Sequence, residues 1–394
     1  MSALVILKKH EDKRIIQGHL WAFSNEIQRV EQPGEPGCVA ELRSSEGKPL
    51  GVGFYHPHSL IAFRLLDKDP QAVIGREWFE RKISDALARR GRHYPGSRSF
   101  RLCFGESDGL PGLVIDRYDS ILVLQVLSAG MERCLGHIEQ ALGALLKPRG
   151  ILLKNDVESR RLEGLPLEVR ILSGEVPETV EFEEDGIRLA VCPQKGQKTG
   201  YFFDQRDNRS FLRPYFKGRR VLDLYCYVGG FALNAVFAGA AEVLAADSSA
   251  KAVELARHNA KLNGFQDKAA IQKEDAAGML EAFSRGELPF NPDMVVLDPP
   301  NLAPTKKSLA PALRLYARLN TMALSGLKTG GLLATASCSH HLPRGMFAEM
   351  LREAAMRAGK TAHLVALRSQ ARDHPVLLAM PETQYLNFAL LEVV

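Results

Sequence analysis

The sequence contains few residues of the kinds that build metal centres and disulfide frameworks. Only six of its 394 residues are cysteines, and none of them stands in a Cys-x-x-Cys pair. Cys38, Cys103, Cys134, Cys192 and Cys226 are scattered and do not supply a set of four Cys and His ligands at zinc spacing, so we expect no metal site. A few scattered cysteines are typical of a reducing compartment, which predicts a cytoplasmic protein.

Two further absences narrow the class of protein. No apolar run reaches the ~20 residues of a membrane-spanning helix, and the first apolar run, Ala3–Leu7, is too short for a signal peptide. We therefore expect a soluble protein without a membrane partner.

The Gly-x-Gly-x-x-Gly fingerprint of a dinucleotide-binding turn is missing, which argues against a nicotinamide dehydrogenase. The net charge of +5 is mild and does not by itself identify a nucleic-acid partner.

The most informative feature that is present is a series of four apolar runs, each closed by an aspartate. The runs end at Asp223, Asp247, Asp275 and Asp298, which are 23 to 28 residues apart. Each interval accommodates a strand, a loop and a crossover helix, as in a parallel α/β sheet. Because parallel strands point their carboxyl ends at one edge, we expect the four carboxylates to line one ligand-binding crevice.

The first aspartate is followed by a turn that suits a bound ligand. Tyr225 begins this turn, and Gly229 and Gly230 follow just before a helix-like run. Glycines at a strand-to-helix turn let the backbone approach a ligand closely. The turn is therefore predicted to lie against a cofactor.

The next two aspartates predict further ligand contacts. Asp247 can hold a ribose through two charge-assisted hydrogen bonds, and Ser248 after it is expected to cap the following helix. Asp275, followed by Ala276, is placed to meet an adenine edge. Each aspartate taken singly also fits a cap or turn role. Their common register favours the ligand site.

This layout resembles the class I S-adenosylmethionine-dependent methyltransferases, and two later motifs strengthen the resemblance. Asp298-Pro-Pro300 follows a buried run, and two prolines fix a rigid turn, which the resemblance places beside the methyl donor. The run Gly331–Ser337 is typical of a buried strand and ends in the loop Ser337-Cys-Ser339. The two loops supply a carboxylate and a thiol.

A carboxylic acid and a thiol are the groups needed to methylate carbon 5 of a pyrimidine. Carbon 5 of cytosine is a weak nucleophile until a thiolate adds to carbon 6; it then accepts a methyl group and loses its proton to a base. Cys338 is the predicted nucleophile, and Asp298 is expected to hold and protonate the ring nitrogen. The alternative is that Cys338 is a small buried apolar residue.

The first 190 residues have a different pattern. Short alternating runs separated by Gly and Pro turns predict a small β-barrel over residues 1–72, and Gly18–Ser24 and Gly51–Tyr55 resemble a PUA domain, an RNA-binding barrel. Residues 73–190 predict an α+β connecting domain. Its eight basic residues between Arg76 and Arg101 either follow a phosphate backbone or form a solvated helix face.

The chain as a whole resembles the bacterial 23S ribosomal RNA large-subunit methyltransferase I type. The resemblance rests on Gly105–Asp116, Gln197–Arg206, Asp298-Pro-Pro300 and Ser337-Cys-Ser339. It implies a cytosine-C5 enzyme with a PUA domain, a connecting domain and a Rossmann-like α/β methyltransferase domain over residues 191–394. It further implies S-adenosylmethionine as the cofactor and 23S ribosomal RNA as the partner.

The same resemblance assigns residue roles. It makes Cys338 the nucleophile and places Gln197, Lys198 and Tyr201 against the cofactor, together with Asp223, Tyr225, Gly229, Asp247, Asp275, Ala276 and Asp298. The chain departs from the pattern at Asn301-Leu302, where relatives commonly have Lys and Phe. The target nucleotide is left open, and so is the oligomeric state, with a homodimer as one option.

Two alternatives keep the RNA partner but change the activity. An amine-directed methyltransferase would use Asp298-Pro-Pro-Asn301 to hold an exocyclic amino group and would need no thiol. A non-catalytic RNA-binding protein would keep the barrel but would not need the four aspartates.

Overall fold

The computed structural model describes residues 3–394 and contains two compact units. The first comprises the chain up to Phe182 together with Cys192–Phe203 and Arg372–Thr383. The second comprises Glu183–Val191, Asp204–Ala371 and Gln384–Val394. The predicted boundaries at residues 72 and 190 stay predictions.

The first unit begins with a six-stranded mixed sheet. Its elements are β1 (Ala3–Leu7), α1 (Lys13–Ile16), β2 (Trp21–Phe23), β3 (Ile27–Glu31), β4 (Cys38–Arg43), β5 (Pro49–Tyr55) and β6 (Ile61–Asp67). The strand order is β2-β6-β5-β4-β1-β3, with β1 and β4 parallel and the other pairs antiparallel. Alternate residues such as Val5, Leu42 and Phe63 point into its core, because side chains alternate between the faces of a strand.

A five-stranded sheet with helices follows in the same unit. Its elements are α2 (Arg76–His93), β7 (Ser99–Phe104), β8 (Leu113–Tyr118), β9 (Ile121–Val126), α3 (Ala129–Arg133), α4 (Leu135–Leu146), β10 (Gly150–Asn155) and β11 (Glu168–Gly174). The strand order is β11-β10-β9-β8-β7, and only β9 and β10 are parallel. Residues of α2 and α4, including Trp78, Phe79 and Ile138, pack with this sheet in one core.

The basic residues between Arg76 and Arg101 do not all face solvent. Arg90 is fully buried and donates to both carboxylate oxygens of Asp108, and Arg101 donates to Asp116 at 2.5 and 2.8 Å. Buried charges need such partners because water no longer solvates them. The contacts of these two arginines are therefore made within the fold, and their side chains do not belong to an exposed basic face. The others include exposed residues such as Arg81 and Arg92, for which both interpretations stand.

A β-hairpin precedes the second sheet. Its strands are β12 (Val180–Glu184) and β13 (Ile187–Val191). Asp185 and Gly186 connect them with φ angles of +50° and +87°. Two consecutive left-handed residues are typical of a type I′ hairpin turn, for which Asp-Gly is a preferred pair.

The second unit is built on a seven-stranded sheet flanked by helices. Its elements are α5 (Arg206–Phe216), β14 (Arg220–Leu224), α6 (Gly230–Phe237), β15 (Glu242–Asp247), α7 (Ala250–Leu262), β16 (Ala269–Lys273), α8 (Ala276–Ser284), β17 (Met294–Leu297), α9 (Leu309–Gly326), β18 (Leu332–Ser337), α10 (Arg344–Arg357), β19 (Ala362–Arg368) and β20 (Asn387–Val393). The order is β16-β15-β14-β17-β18-β20-β19. Pairs from β16 to β18 are parallel, and β20 is antiparallel to both of its neighbours.

This topology places a switch point at β14. The chain runs outward from β14 to β15 and β16, then returns to the other side of β14 for β17 and β18. Open α/β sheets bind ligands beyond the carboxyl ends of the strands at such a point. All residues of β17 and β18 are buried, as expected for strands covered on both faces. None of the helices in residues 3–394 has the length and apolarity needed to cross a membrane.

Candidate functional site

The four aspartates lie at the carboxyl ends of four adjacent parallel strands, as predicted. Asp223 is near the end of β14, Asp247 ends β15, Asp298 follows β17, and Asp275 lies two residues beyond β16. Because the strand order is β16-β15-β14-β17, their order along the edge is Asp275, Asp247, Asp223, Asp298. One sheet edge therefore carries all four carboxylates.

Asp223 is a buried carboxyl with one unused oxygen. Its Oδ2 accepts a 2.8 Å hydrogen bond from the backbone amide of Ala232, in the first turn of α6. Its Oδ1 is buried and has no hydrogen-bond partner among residues 3–394. Burial raises the pKa of Asp223 well above its ordinary value; the Ala232 amide opposes that shift, and Asp298 and Asp247 add to it. A buried polar atom without a partner is a position where a hydrogen-bonding group of a ligand fits.

The turn after Asp223 has a strained backbone. Tyr225, Tyr227 and Gly229 have φ angles of +63°, +49° and +88°. For a tyrosine this left-handed conformation costs on the order of 1–3 kcal/mol, and such strain clusters at ligand sites. The two tyrosines were not predicted to be strained.

The side chain of Tyr225 lies near the acidic edge. It is half-buried, and burial raises the pKa of its hydroxyl, with the charges of Asp275 and Asp247 raising it further. This aromatic ring therefore belongs to the same candidate cofactor site as those two carboxylates.

Asp247 holds the strained turn in place. Its Oδ2 accepts the amide of Tyr227 at 3.0 Å, and its Oδ1 accepts the amide of Ser249 at 2.8 Å. Each carboxylate oxygen has a second lone pair, so both remain able to accept from a ligand hydroxyl. The prediction that Ser248 caps α7 is wrong, because Ser249 is the N-cap and its Oγ accepts the amide of Ala252 at 3.3 Å.

Asp275 combines an exposed position with a capping role. Its Oδ2 accepts the amide of Gly278 at 2.8 Å, which makes it the N-cap of α8. Ala276, the first residue of α8, is buried. Contact of these two residues with an adenine edge stays a prediction.

Asp298 is oriented by a residue that the sequence did not single out. Gln205 is buried and donates from Nε2 to Asp298 Oδ1 at 3.0 Å. Gln205 Oε1 in turn accepts from Asn208 Nδ2 at 2.8 Å, which fixes the amide orientation. Gln205 lies within the Gln197–Arg206 motif, so the motif was recognised but this role was missed.

The Ser-Cys-Ser loop and the Asp-Pro-Pro loop are joined by a hydrogen bond. Cys338 is half-buried and is the first residue beyond β18, next to β17. Ser339 is fully buried, and its Oγ donates to Asn301 Oδ1 at 2.7 Å. The backbone amide of Ala303 donates to both of these oxygens, at 3.0 Å to Asn301 and 3.3 Å to Ser339. The candidate nucleophile and the candidate acid thus lie on two loops that are tied together.

Cys226 differs from Cys338 in its surroundings. It is buried within the strained turn, and burial raises the pKa of its thiol well above the ordinary value, with Asp223 and Asp247 raising it further. A thiol in this environment resists becoming a thiolate, which is the nucleophilic form. This supports a packing role for Cys226. Within residues 3–394, no group of three or more His, Cys, Asp or Glu side chains is arranged to hold a metal ion.

Three candidate cofactor residues belong to the first unit. Gln197 and Lys198 are exposed in a turn, and Lys198 has a φ angle of +50°. Tyr201 is buried, with its ring centroid 5.2 Å from those of both Phe182 and Phe203. The cofactor contacts of Gln197, Lys198 and Tyr201 stay predictions.

Two family models match the chain. A PUA-like domain matches residues 5–68, and an S-adenosylmethionine-dependent methyltransferase matches residues 165–375, more than half of the sequence. Both agree with the predicted fold class. The second also establishes the predicted cofactor, S-adenosylmethionine.

Curated relatives match over nearly the whole length. Ribosomal RNA large subunit methyltransferase I of Aeromonas hydrophila is 38% identical over 396 residues, and the alignment covers 98% of each chain. The protein of the same name from Shigella boydii is 37% identical over 392 residues, again with 98% of each chain covered. That from Alteromonas mediterranea is 36% identical over 396 residues, covering 100% of this chain and 99% of the relative.

Solved structures share the fold. A candidate methyltransferase, SMU.776, solved with SAH, superimposes with a TM-score of 0.84 at 20% identity, with both chains covered completely. A candidate SAM-dependent methyltransferase from Streptococcus mutans gives a TM-score of 0.83 at 18% identity, with the same coverage. At these identities the likeness concerns the fold alone.

Proposed function

Because the chain belongs to the ribosomal RNA large subunit methyltransferase I family, we propose that it methylates carbon 5 of a cytosine in 23S ribosomal RNA. The chain is an S-adenosylmethionine-dependent methyltransferase, which removes the non-catalytic alternative. The names of its relatives support a ribosomal RNA substrate. A cytoplasmic location is part of the proposal, since ribosomal RNA is methylated where bacterial ribosomes are assembled.

The acidic sheet edge has donors and acceptors that suit S-adenosylmethionine. When bound, the cofactor supplies an electrophilic methyl group carried on a sulfonium sulfur. Asp247 would hold the ribose hydroxyls, and Asp275 with Ala276 would meet the adenine edge. The unused Oδ1 of Asp223 and the strained Tyr225–Gly229 turn are the features that favour a ligand here. For Gln197, Lys198 and Tyr201, the proposal that they contact the cofactor rests on the family resemblance alone.

The proposed chemistry uses Cys338 and Asp298. The Cys338 thiolate adds to carbon 6 of cytosine while Asp298 delivers a proton to ring nitrogen 3, which makes carbon 5 nucleophilic. Once carbon 5 carries the methyl group, a base removes its proton. The released electron pair restores the carbon 5–carbon 6 double bond as the carbon–sulfur bond breaks. Nitrogen 3 then returns its proton to Asp298.

The observation that carries this proposal is the hydrogen bond between the Ser-Cys-Ser loop and the Asp-Pro-Pro loop. Ser339 binds Asn301 at 2.7 Å, so the loop that bears the thiol and the loop that bears the carboxylate form one hydrogen-bonded structure. Asp298 is further oriented by Gln205. A nucleophile and an acid that act on the same ring must be held in fixed positions, because positioning contributes much of the rate of an enzymatic step.

The hydrogen bonds of Asn301 argue against the amine-directed alternative. That reaction would use the loop from Asp298 to Asn301 to hold an exocyclic amino group. Asn301 Oδ1 already accepts hydrogen bonds from Ser339 Oγ and from the Ala303 amide. With both lone pairs engaged, this oxygen has no capacity to accept from a substrate amine.

The substrate must present its cytosine outside the base stack. A site at the edge of a sheet cannot reach carbon 5 of a stacked base, so the nucleotide must be flipped out at a cost of a few kcal/mol. That cost is least in single-stranded or strained loops, which are also the usual targets of sequence-specific RNA recognition. The proposal therefore favours a loop nucleotide.

Nucleoside mass analysis tests the proposed function. Ribosomal RNA from cells that lack the protein would be incubated with the purified protein and labelled S-adenosylmethionine, then digested. The expected product is 5-methylcytidine at one position of 23S RNA. A label in an N-methylated nucleoside would instead support the amine-directed reaction, and a protein inactivated at Cys338 provides the control.

A further inference from the structure

Tyr316 of α9 lies buried beneath the two loops that carry Asp298 and Cys338. Its side chain is fully buried in the core formed by α8, α9 and α10. Its hydroxyl is 3.4 Å from the carbonyl oxygen of Pro300 and 3.2 Å from Ser339 Oγ. One rigid aromatic residue therefore touches a backbone atom of the first loop and a side chain of the second.

The direction of these hydrogen bonds follows from the number of protons. Ser339 has a single hydroxyl proton, and it is given to Asn301 Oδ1 at 2.7 Å. In its contact with Tyr316, Ser339 must then accept, so Tyr316 is the donor. The Pro300 carbonyl can only accept as well. The one proton of Tyr316 is thus shared between an acceptor on each loop.

We propose that Tyr316 is a positioning residue, which fixes the Cys338 loop against the Asp298 loop so that thiol and acid reach the same pyrimidine. This inference rests on the proposed function. Tyr316 has no role in bonding to the substrate. Its effect passes through Ser339, adjacent to Cys338, and through Pro300, two residues after Asp298.

The surroundings of the Tyr316 hydroxyl keep it protonated, so that it can donate a hydrogen bond. Burial raises the pKa of its hydroxyl, the hydrogen bonds of Ser337 and Ser339 lower it, and the charge of Cys338 raises it again. When Cys338 is a thiolate, the neighbouring tyrosine is therefore held neutral. A neutral hydroxyl retains the proton that Tyr316 shares between Ser339 and Pro300.

The test measures formation of the covalent adduct with RNA that carries 5-fluorocytosine at the target. Fluorine cannot be removed as a proton would be, so the enzyme remains joined to carbon 6 after methyl transfer. Tyr316→Phe retains the ring and loses only the hydroxyl. We expect at least a tenfold slower adduct formation and turnover, with unchanged dissociation constants for S-adenosylmethionine and RNA.

Asn320→Ala is the matched control. Asn320 is buried one turn further along α9, and its Nδ2 donates to the backbone carbonyl of Tyr316 at 2.8 Å. Its replacement should lower thermal stability while adduct formation stays within twofold of the wild type. A loss of rate in Asn320→Ala equal to that in Tyr316→Phe would show that helix stability alone matters, and would overturn the inference.

Ser339→Ala provides a second variant that does not alter the core ring. Because Ser339 and Tyr316 act through the hydrogen bond that joins them, the double variant should be no slower than the slower single variant. If the two losses of rate multiply in the double variant, the two residues act independently and the inference is overturned. If wild-type protein forms no adduct, the proposed function itself fails; if wild type and Tyr316→Phe form it equally fast, only the role of Tyr316 fails.

Discussion

Gln205 Nε2 donates a 3.0 Å hydrogen bond to Asp298 Oδ1, although the two residues are 93 positions apart in the chain. Gln205 is buried just before α5, and Asp298 follows the central strand β17. The amide points at the acid, since its oxygen is engaged by Asn208. The proposed proton donor is thereby held in one orientation.

Gln205→Ala should lower turnover without weakening the binding of S-adenosylmethionine. As Asp298 gives up its proton, its carboxyl becomes charged, and a hydrogen bond to a charged group contributes about 1.5–3 kcal/mol, so its loss corresponds to roughly a tenfold to hundredfold lower kcat. Steady-state kinetics and calorimetry measure the two effects. Gln266→Ala, an exposed glutamine in the turn before β16, is the control. A normal kcat in Gln205→Ala would exclude this role.

Cys338→Ala should abolish methyl transfer, because no other thiol on the acidic edge is in a comparable position. Cys226→Ala should retain a measurable rate, since that buried thiol has a raised pKa and a packing role. Transfer of labelled methyl groups to RNA measures both variants. If Cys338→Ala reacts at the wild-type rate, the carbon 5 mechanism is excluded and the amine-directed reaction becomes the better explanation.

Asp247→Ala should weaken the binding of S-adenosylmethionine. The loss of charge-assisted hydrogen bonds to ribose is expected to cost about 1.5–3 kcal/mol, or roughly tenfold to a hundredfold in the dissociation constant. The Tyr227 amide loses its partner as well, so the strained turn should loosen. Calorimetric titration checks the affinity, and Asp267→Ala, in an exposed turn before β16, is the control. Equal affinities would remove Asp247 from the cofactor site.

Asp223→Asn should stabilise the fold at neutral pH. Burial raises the folded-state pKa of Asp223, so its stabilising contribution is fully present below the unfolded value near ~4 and is lost as pH rises through the folded pKa. An amide keeps the acceptor for Ala232 and never ionises. Thermal unfolding should therefore favour the variant at pH 7, with the advantage disappearing as pH falls toward ~4. A constant difference across this range would contradict the raised pKa.

Arg81→Ala with Arg92→Ala should flatten the salt dependence of RNA binding. If both exposed arginines contact phosphates, the slope of log affinity against log salt should fall by about 2, one for each contact. Lys217→Ala with Lys328→Ala removes the same charge from turns before β14 and β18, and should leave the slope unchanged. Identical slopes for the two double variants would mean that α2 presents an ordinary solvated face.

Local sequence patterns specify the strands and helices and the sheet edge on which the acidic residues meet. Apolar runs closing on Asp223, Asp247, Asp275 and Asp298 specify strands with helical intervals, and parallel pairing then brings their carboxyl ends together whatever the loops do. The family motifs also followed from the sequence, because they are contiguous. Such features depend only on residues that are near one another in the chain.

Tertiary structure alone decided which side chains support the site. The contacts of Gln205 with Asp298 and of Ser339 with Asn301 join residues 93 and 38 positions apart, and no local pattern records such pairs. The same holds for Arg90, which belongs to a basic stretch in the sequence but is neutralised by the buried Asp108 in the fold. Packing assigns these roles, because a charged or polar side chain that is removed from water must be satisfied by whichever partner the fold brings to it.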